Sequence, residues 1–417
     1  MHLTDLALTD FRSHRQVVLR LQTGVTTFTG LNGQGKTNLV EAVAYLATLA
    51  SHRSATDQAL VRQGAGKAVI RARLARGERA ALVSLEIVPG KSNTAFIGRT
   101  KVKPAEALGI TRAVAFVPED LALVKGPPEG RRRYLDELMT QLRPSMAGTL
   151  IDYDRVTKQR AALLKTLAGL SGEKLSHGIN GLEVWNGPAA ALGGAITAAR
   201  LTLAAKLRPR VDAVYRKLVG EDTRLTRLDP VDVATGADES DKRETDSSGT
   251  VGFDRRSGVG GAPDSGLAEL SYQPTVGAVA GDDAAAVEGK LLAAMASGWG
   301  REIERGASLY GPHREDLALY LNGLPARGYA SHGESWSLAL ALRLAAFEVI
   351  RDELDDDPIL ILDDVFAELD QGRRRTLTGL IAEVEQVLVT AAVAGDVPTG
   401  LTDHWFTVAE GGVSEGE

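Results

Sequence analysis

The sequence predicts an α/β fold: a mixed sheet with flanking helices, joined to a second, mainly helical lobe. Three observations predict it. The β-branched segment VTTFTG enters a glycine-rich loop and then the helical pattern NLVEAVAYLATLA. Far along the chain, the aliphatic run Pro358-Ile359-Leu360-Ile361-Leu362 ends in the acids Asp363 and Asp364, as a central parallel strand buried on both faces would. Between these two segments, from about 129 to 220, apolar residues recur at helix spacing.

Taken in order, residues 1–29 read as strands, from MHLTDLALTDF through RQVVLRL to VTTFTG. Segments 68–75, 80–88 and 95–103 read as strands again, and 113–121 as a buried strand ending at Pro118. The helical stretch that follows is expected to break at Pro144, at Gly187-Pro188 and at Pro209. Its apolar pattern never continues as heptads for long enough to make an extended coiled coil. Residues 234–266 are polar and glycine-rich, the composition of a disordered surface insertion. A strand is expected within 267–276, a helix through 284–305, and β then α structure from Leu309 onward. This order divides the chain into a head made of 1–120 and 306–417 and a helical arm lobe at 121–305.

Composition narrows the class. At 417 residues, with 44% hydrophobic and 24% charged, the chain can build two ordinary globular domains. Cysteine is absent, which excludes disulfides and thiolate metal sites and fits a cytoplasmic location. The N-terminal segment lacks a basic-then-apolar signal pattern. No apolar run is expected to reach the roughly 18 residues of a membrane span; the nearest, 338–350, is broken by Arg343 and Glu348 and reads as a core helix. A net charge of −6 argues against general adhesion to nucleic acid but leaves room for a local basic patch.

Gly30-Leu31-Asn32-Gly33-Gln34-Gly35-Lys36-Thr37 satisfies G-x-x-x-x-G-K-[ST] at every fixed position. Glycines let the backbone wrap a phosphate, so that N–H groups and a helix N-terminus face the negative charge. Lys36 supplies a point charge for the β- and γ-phosphates, and the Thr37 hydroxyl suits Mg²⁺. A glycine-rich turn before a helix is the plain alternative, but the preceding strand and following helix favour ATP or GTP binding. Acids at the C-terminal end of a parallel strand lie where ligands bind. Asp363 is therefore suited to Mg²⁺, and Asp364 to orienting or deprotonating the attacking water. Lys36, Asp363 and Asp364 form the expected catalytic set.

Three further segments resemble parts of ABC-type ATPases. Ser331-His332-Gly333-Glu334-Ser335, ahead of a helix, resembles the signature turn. Ala367-Glu368-Leu369-Asp370 resembles the D-loop, and Val387-Leu388-Val389-Thr390 the strand leading to the switch position. The chain as a whole resembles the RecF family of bacterial recombination mediators. The matching stretches include Phe11-Arg12-Ser13, the phosphate loop, Ser51-His52-Arg53-Ser54, Pro118-Glu119-Asp120-Leu121, Lys125 to Arg132, Gly311 to Asp316 and Leu362 to Val365. The polar insertion departs from the family pattern, as does Glu334 where signatures often carry glutamine.

The resemblance implies an ABC-type, SMC-like ATPase head without long arms. It also implies an ATP-dependent homodimer in which Ser331 and Gly333 of one subunit face the nucleotide of the other. Arg12 resembles the phosphate-contacting arginine of this class. Slow, DNA-stimulated hydrolysis is implied, together with single- and double-stranded DNA binding at gaps. Help in loading recombinase beside a RecR-type partner, for recombinational repair and replication restart, completes the implied role.

An ABC transporter subunit is the main rival, opposed by the helical lobe, the FRS start and Thr390. Another SMC-like head is opposed by the missing coiled coil. A nucleotide-regulated scaffold with negligible turnover is a third alternative. Arg131, Arg132, Arg133, Arg373, Arg374 and Arg375 could meet DNA, although solvated or paired roles are the commoner fate of such runs. Arg132 is expected to pair with Asp136 at i,i+4.

Overall fold

The computed structural model describes residues 1–54, 56–220 and 266–416. Apart from Gly266, the insertion expected at 234–266 lies outside them. The chain starts with strands β1 (His2–Phe11), β2 (His14–Arg20) and β3 (Gly24–Thr29), followed by helix α1 (Lys36–Thr48). Strands β4 (Ala68–Arg76), β5 (Arg79–Ile87), β6 (Thr94–Ile97), β7 (Thr100–Val102) and β8 (Ala113–Phe116) follow. Helices α2 (Leu121–Lys125), α3 (Pro128–Leu142), α4 (Met146–Leu167) and α5 (Gly172–Val219) come next. Beyond the gap lie β9 (Ala268–Gln273), α6 (Ala284–Arg305), β10 (Asp316–Leu321) and β11 (Leu324–Pro325). The chain ends with α7 (Ala326–Tyr329), α8 (His332–Leu354), β12 (Ile359–Asp363), α9 (Gln371–Ile381), β13 (Gln386–Ala391), β14 (His404–Ala409) and β15 (Gly412–Glu415).

A mixed sheet of order β15-β14-β3-β13-β12-β8 carries the site. Its five members from β14 to the edge strand β8 run parallel, and only β15 turns back as a hairpin on β14. Every residue of β12 is buried, because both faces of this sheet are covered. Ile359 and Ile361 face the apolar cluster that contains α1, whereas Leu360 and Leu362 face the cluster that contains α8. The strand alternation read from the sequence thus divides one strand between two cores. A second, antiparallel sheet of order β2-β1-β4-β5-β6-β7 lays Leu3, Leu6, Leu8, Ile70, Leu74 and Leu85 onto α1.

The helical region differs from its sequence pattern in one respect. Pro144 does separate α3 from α4, but Pro188 and Pro209 lie inside the 48-residue α5. An interior proline costs a helix about 3 kcal/mol. Here that cost is met by tertiary packing, since Ala189, Ala190, Ile196, Leu207, Val211 and Val214 are all buried along α5. Beside Pro209, the Arg210 guanidinium donates to the Lys206 carbonyl at 2.9 Å. The uninterrupted helix also contains an 18-residue window of mean hydropathy 1.2, which the sequence reading had not expected. More than half of that window is buried within the protein, against neighbours such as α4, α6 and α8. β9, from the lobe side of the boundary expected at 305/306, pairs antiparallel with β10 on the head side.

One charged pair is fully enclosed in the helical region. Arg160 on α4 and Glu302 on α6 are both 0% exposed, and Arg160 Nη1 donates to Glu302 at 3.0 Å. Ser308 and Asn186 accept the remaining guanidinium bonds. Removing one partner leaves an uncompensated buried charge. Glu302→Ala is expected to cost about 3–5 kcal/mol, read as a shift of the denaturant midpoint.

Candidate nucleotide site

The phosphate loop joins the C-terminal end of β3 to the N-terminus of α1. Two of its glycines have steric reasons. A Cβ on Gly30 would lie 2.2 Å from the Val408 carbonyl oxygen. At Gly35, which has φ of +107°, it would lie 2.7 Å from Ser13 Oγ and 2.8 Å from His14 Nε2. The loop is held from outside as well. His14 is fully buried, its ring nitrogens 3.0 Å from the Gly35 carbonyl and 2.8 Å from the Gly411 carbonyl. Gln34 Oε1 accepts from the Glu410 N–H in the β14–β15 turn. Leu31, Asn32 and Gly33 are exposed at the tip.

Lys36 is 4% exposed, and its Nζ donates to the carbonyls of Gly30 at 2.6 Å and Leu31 at 3.2 Å. The ammonium therefore sits inside the loop it is expected to serve. Thr37 Oγ1 donates to Asp363 Oδ1 at 3.0 Å, tying the first turn of α1 to the end of β12. Thr390, at the end of the adjacent β13, donates to the same oxygen. Asp363 is 2% exposed, and burial pushes its carboxyl up to about 6. The two threonine hydroxyls oppose that rise, whereas the charges of Asp364 and Glu119 add to it. A hydroxyl and a carboxylate converging in a buried, electron-rich spot fit a hard divalent cation such as Mg²⁺. Asp364 adopts a left-handed backbone, φ 53°, and its N–H donates to Thr390 Oγ1 at 3.0 Å.

Arg12 leaves β1 in a left-handed conformation, φ 52°. Its guanidinium donates to the fully buried Glu41 of α1 through Nε at 2.9 Å and also through Nη2. Nη1 donates to the Ala59 carbonyl at 2.9 Å. In this structure Arg12 therefore braces the phosphate-loop helix from outside. Glu41 and His14 carried no sequence motif of their own, and their partners lie many residues away. Glu119 was visible only as part of Pro118-Glu119-Asp120-Leu121, yet its charge reaches Asp363.

The signature-like turn forms a capping box at the start of α8. Ser331 Oγ accepts from the Glu334 N–H at 3.3 Å, and Glu334 Oε2 accepts from the Ser331 N–H at 2.8 Å. Glutamate thus fills the local role that glutamine could also fill. Among the described residues, the Ser331 hydroxyl proton has no acceptor. Behind the turn, Arg373 Nη1 would lie 3.0 Å from a Cβ on Gly333. Arg373 also meets Asp370, the N-cap of α9, at 3.3 Å. Ser331, Glu334, Asp370 and Arg373 line an open groove of about 780 Å³. Among the described residues, no hydrogen bond or ion pair joins Gly30–Thr37 to Ser331–Ser335.

The arginine runs have mostly structural partners. Arg131 forks onto Asp316 at 2.8 Å, and Arg132 donates to the Glu315 carbonyl at 2.8 Å. The expected Arg132–Asp136 pair is corrected, because Asp136 instead accepts two bonds of 2.9 Å from Arg200 on α5. A buried arginine offers the fork that a carboxylate fits, so the tertiary pair displaces the local one. Arg374 donates to the Leu369 carbonyl at 2.8 Å.

Residues 2–400 match the RecF/RecN/SMC N-terminal domain family. A Frankia alni protein named DNA replication and repair protein RecF is 49% identical over 417 residues, with 99% of each chain covered. The chain belongs to the RecF family. A RecF of the same description from Streptomyces avermitilis is 48% identical over 416 residues, again covering 99% of each chain. Two solved structures of the recombination mediator protein RecF, described as RecF-ATP and RecF-ATPrS in the RecFOR pathway, share the fold. Their TM-scores are 0.80 and 0.79 at 24% identity, and they cover 100% and 99% of this chain and 98% of their own. The α/β fold expected from the sequence is the ABC-type ATPase head of this family, a mixed sheet with flanking helices.

The raised Asp363 carboxyl yields a signed prediction. Its folded value, about 6, lies above the ordinary carboxylate value, so the buried charge destabilises the nucleotide-free protein fully above about pH 6. That penalty disappears as pH falls toward 4. Asp363→Asn is expected to stabilise the nucleotide-free protein at pH 7.5 by on the order of 1–3 kcal/mol. Thermal melting should show this gain shrinking between pH 6 and pH 4 while Mg²⁺-nucleotide binding is lost at every pH.

Proposed function

We propose that this chain is an ATP-switched DNA clamp of the RecF type, acting in DNA repair and replication restart. In this reading residues 1–120 and 306–417 are the head and 121–305 the arm lobe of a cytoplasmic protein. The observation that carries it is the split site: one chain forms both a phosphate loop and a capped signature turn, yet leaves them unjoined. A second copy, placed face to face, brings each turn over the other chain's loop.

Lys36 would exchange the Gly30 and Leu31 carbonyls for the β- and γ-phosphates of ATP. Thr37 and Asp363 would hold Mg²⁺, which neutralises charge between those phosphates when bound. Asp364, at the end of β12, orients the attacking water. Its side chain is shorter than the glutamate of fast ABC ATPases, so turnover is slow. Ser331 of the opposing copy would donate its hydroxyl proton, which meets no acceptor among the described residues, and Gly333 with the α8 N-terminus adds backbone N–H groups and a positive dipole end. ATP then binds the dimer better than the monomer, the difference in affinity that an association switch requires. Hydrolysis removes the bridging phosphate and frees the clamp. Single- and double-stranded DNA at gaps is the substrate surface, and a RecR-type mediator is the partner for recombinase loading.

Sedimentation with ATP, ADP or no nucleotide, with and without DNA, tests this reading. The wild-type chain should dimerise only with ATP, and Lys36→Arg and Ser331→Arg should each remain monomeric. An ATP-dependent dimer that survives both substitutions would remove the clamp. Asp364→Asn is expected to lower ATP hydrolysis at least about tenfold while leaving the ATP dimer intact. Phosphate release measured beside sedimentation separates the two effects.

A further inference from the structure

The antiparallel sheet β2-β1-β4-β5-β6-β7 packs one face on α1 and leaves strongly exposed side chains on the other. Strand register puts Val18, Ala7, Arg71, Ser84, Phe96 and Lys101 in one cross-strand row on that outer face. At about 4.8 Å per strand the row is roughly 24 Å long. A parallel row holds Arg20, Asp5, Arg73 and Leu82. Arg20, Arg71 and Lys101 are exposed, and none of them meets a carboxylate among the described residues. Arg73 touches Asp5 at 3.5 Å, the one acid in either row. The chain carries a net charge of −6, so this face reverses the sign of the molecule.

We propose that this face binds the phosphodiester backbone of a nucleic acid. The inference deepens the clamp reading, on which it rests, by assigning DNA a surface. Its chemistry favours a polyanion over an acidic protein. The cations are spread along extended rows, with Ser84 and the half-buried Phe96 between Arg71 and Lys101, whereas a protein interface would centre on a packed apolar core. Exposed Val18 (66%) and Leu82 (39%) stand apart at different strands of the face and form no such core. The face also begins beside the nucleotide. In the β1–β2 turn Ser13 Oγ accepts from Asn38 of α1 at 2.9 Å, and the neighbouring His14 reaches Gly35 of the phosphate loop. Nucleic acid on these strands would run from the nucleotide seat outward over β4 to β7.

The test uses the full chain with Arg71→Glu and Lys101→Glu combined, and Arg71→Gln with Lys101→Gln as a gentler pair. Fluorescence anisotropy of a labelled duplex and a labelled single strand, with ATP, is read across a salt series. Each lost phosphate contact lowers the log–log salt slope by about 0.9, so the double variant should lose about 2 in slope. Affinity at low salt should fall at least about tenfold, with the glutamine pair intermediate and binding of a fluorescent ATP analogue unchanged. Loss on duplex alone, on single strand alone or on both supports the surface and identifies the form it takes. Wild-type slope and affinity in both variants, on both nucleic acids, would overturn it and leave an acidic protein as the occupant to seek. Should the wild-type chain itself fail to bind either nucleic acid with ATP, the clamp reading falls, and this surface with it.

Discussion

The Thr37 hydroxyl meets the Asp363 carboxylate at 3.0 Å, and this contact ties together parts of the chain that lie 326 residues apart. It fixes the first turn of the phosphate-loop helix against the end of β12, while Thr390 fixes β13 to the same oxygen. Two hydroxyls stabilise a buried carboxylate but do not neutralise it. The chain therefore holds a carboxyl raised to about 6 at the point where β12, β13 and α1 converge. A cation bound there would remove the cost of that buried charge, so ligand binding and the stability of the sheet's ligand edge would be coupled.

The remaining features of the head secure the position of that contact. His14 and Gln34 hold the loop against the β14–β15 turn, through Gly411 and Glu410, and Arg12 holds its helix through Glu41. Burial of β12 on both faces leaves its acids nowhere to turn except the ligand edge. The signature-like turn is capped by Glu334 and backed by Arg373, and among the described residues nothing accepts the Ser331 hydroxyl proton. Loop and turn are each complete on one polypeptide, yet no hydrogen bond or ion pair joins them among the described residues, which is the observation behind the proposed dimer.

Local rules made part of this readable in advance. The phosphate loop and the aliphatic β12 depend on neighbours within a few residues, and α6 begins and ends where its periodicity indicates. Contacts across long separations were not readable. Arg12 carries the phosphate-contacting expectation on a tripeptide, whereas its observed partner Glu41 lies 29 residues on and belongs to a different element. Asp136 passes over the helical neighbour Arg132 for Arg200. Pro188 and Pro209 obey a sound local rule that the packing around α5 overrides. Gly333 reads as a signature glycine, but the guanidinium that presses on it becomes visible only once α9 is placed beside α8.

The split site can be tested directly by mixing two defective chains. Lys36→Arg spoils the phosphate loop and Ser331→Arg spoils the opposing turn, so neither variant can build an intact site with a copy of itself. In a mixed dimer one site combines wild-type Lys36 with wild-type Ser331, while the other is doubly broken. Sharing of the nucleotide between copies predicts that an equimolar mixture hydrolyses ATP well above the sum of its separate components. Activity no greater than that sum, with mixed dimers shown to form, would contradict it.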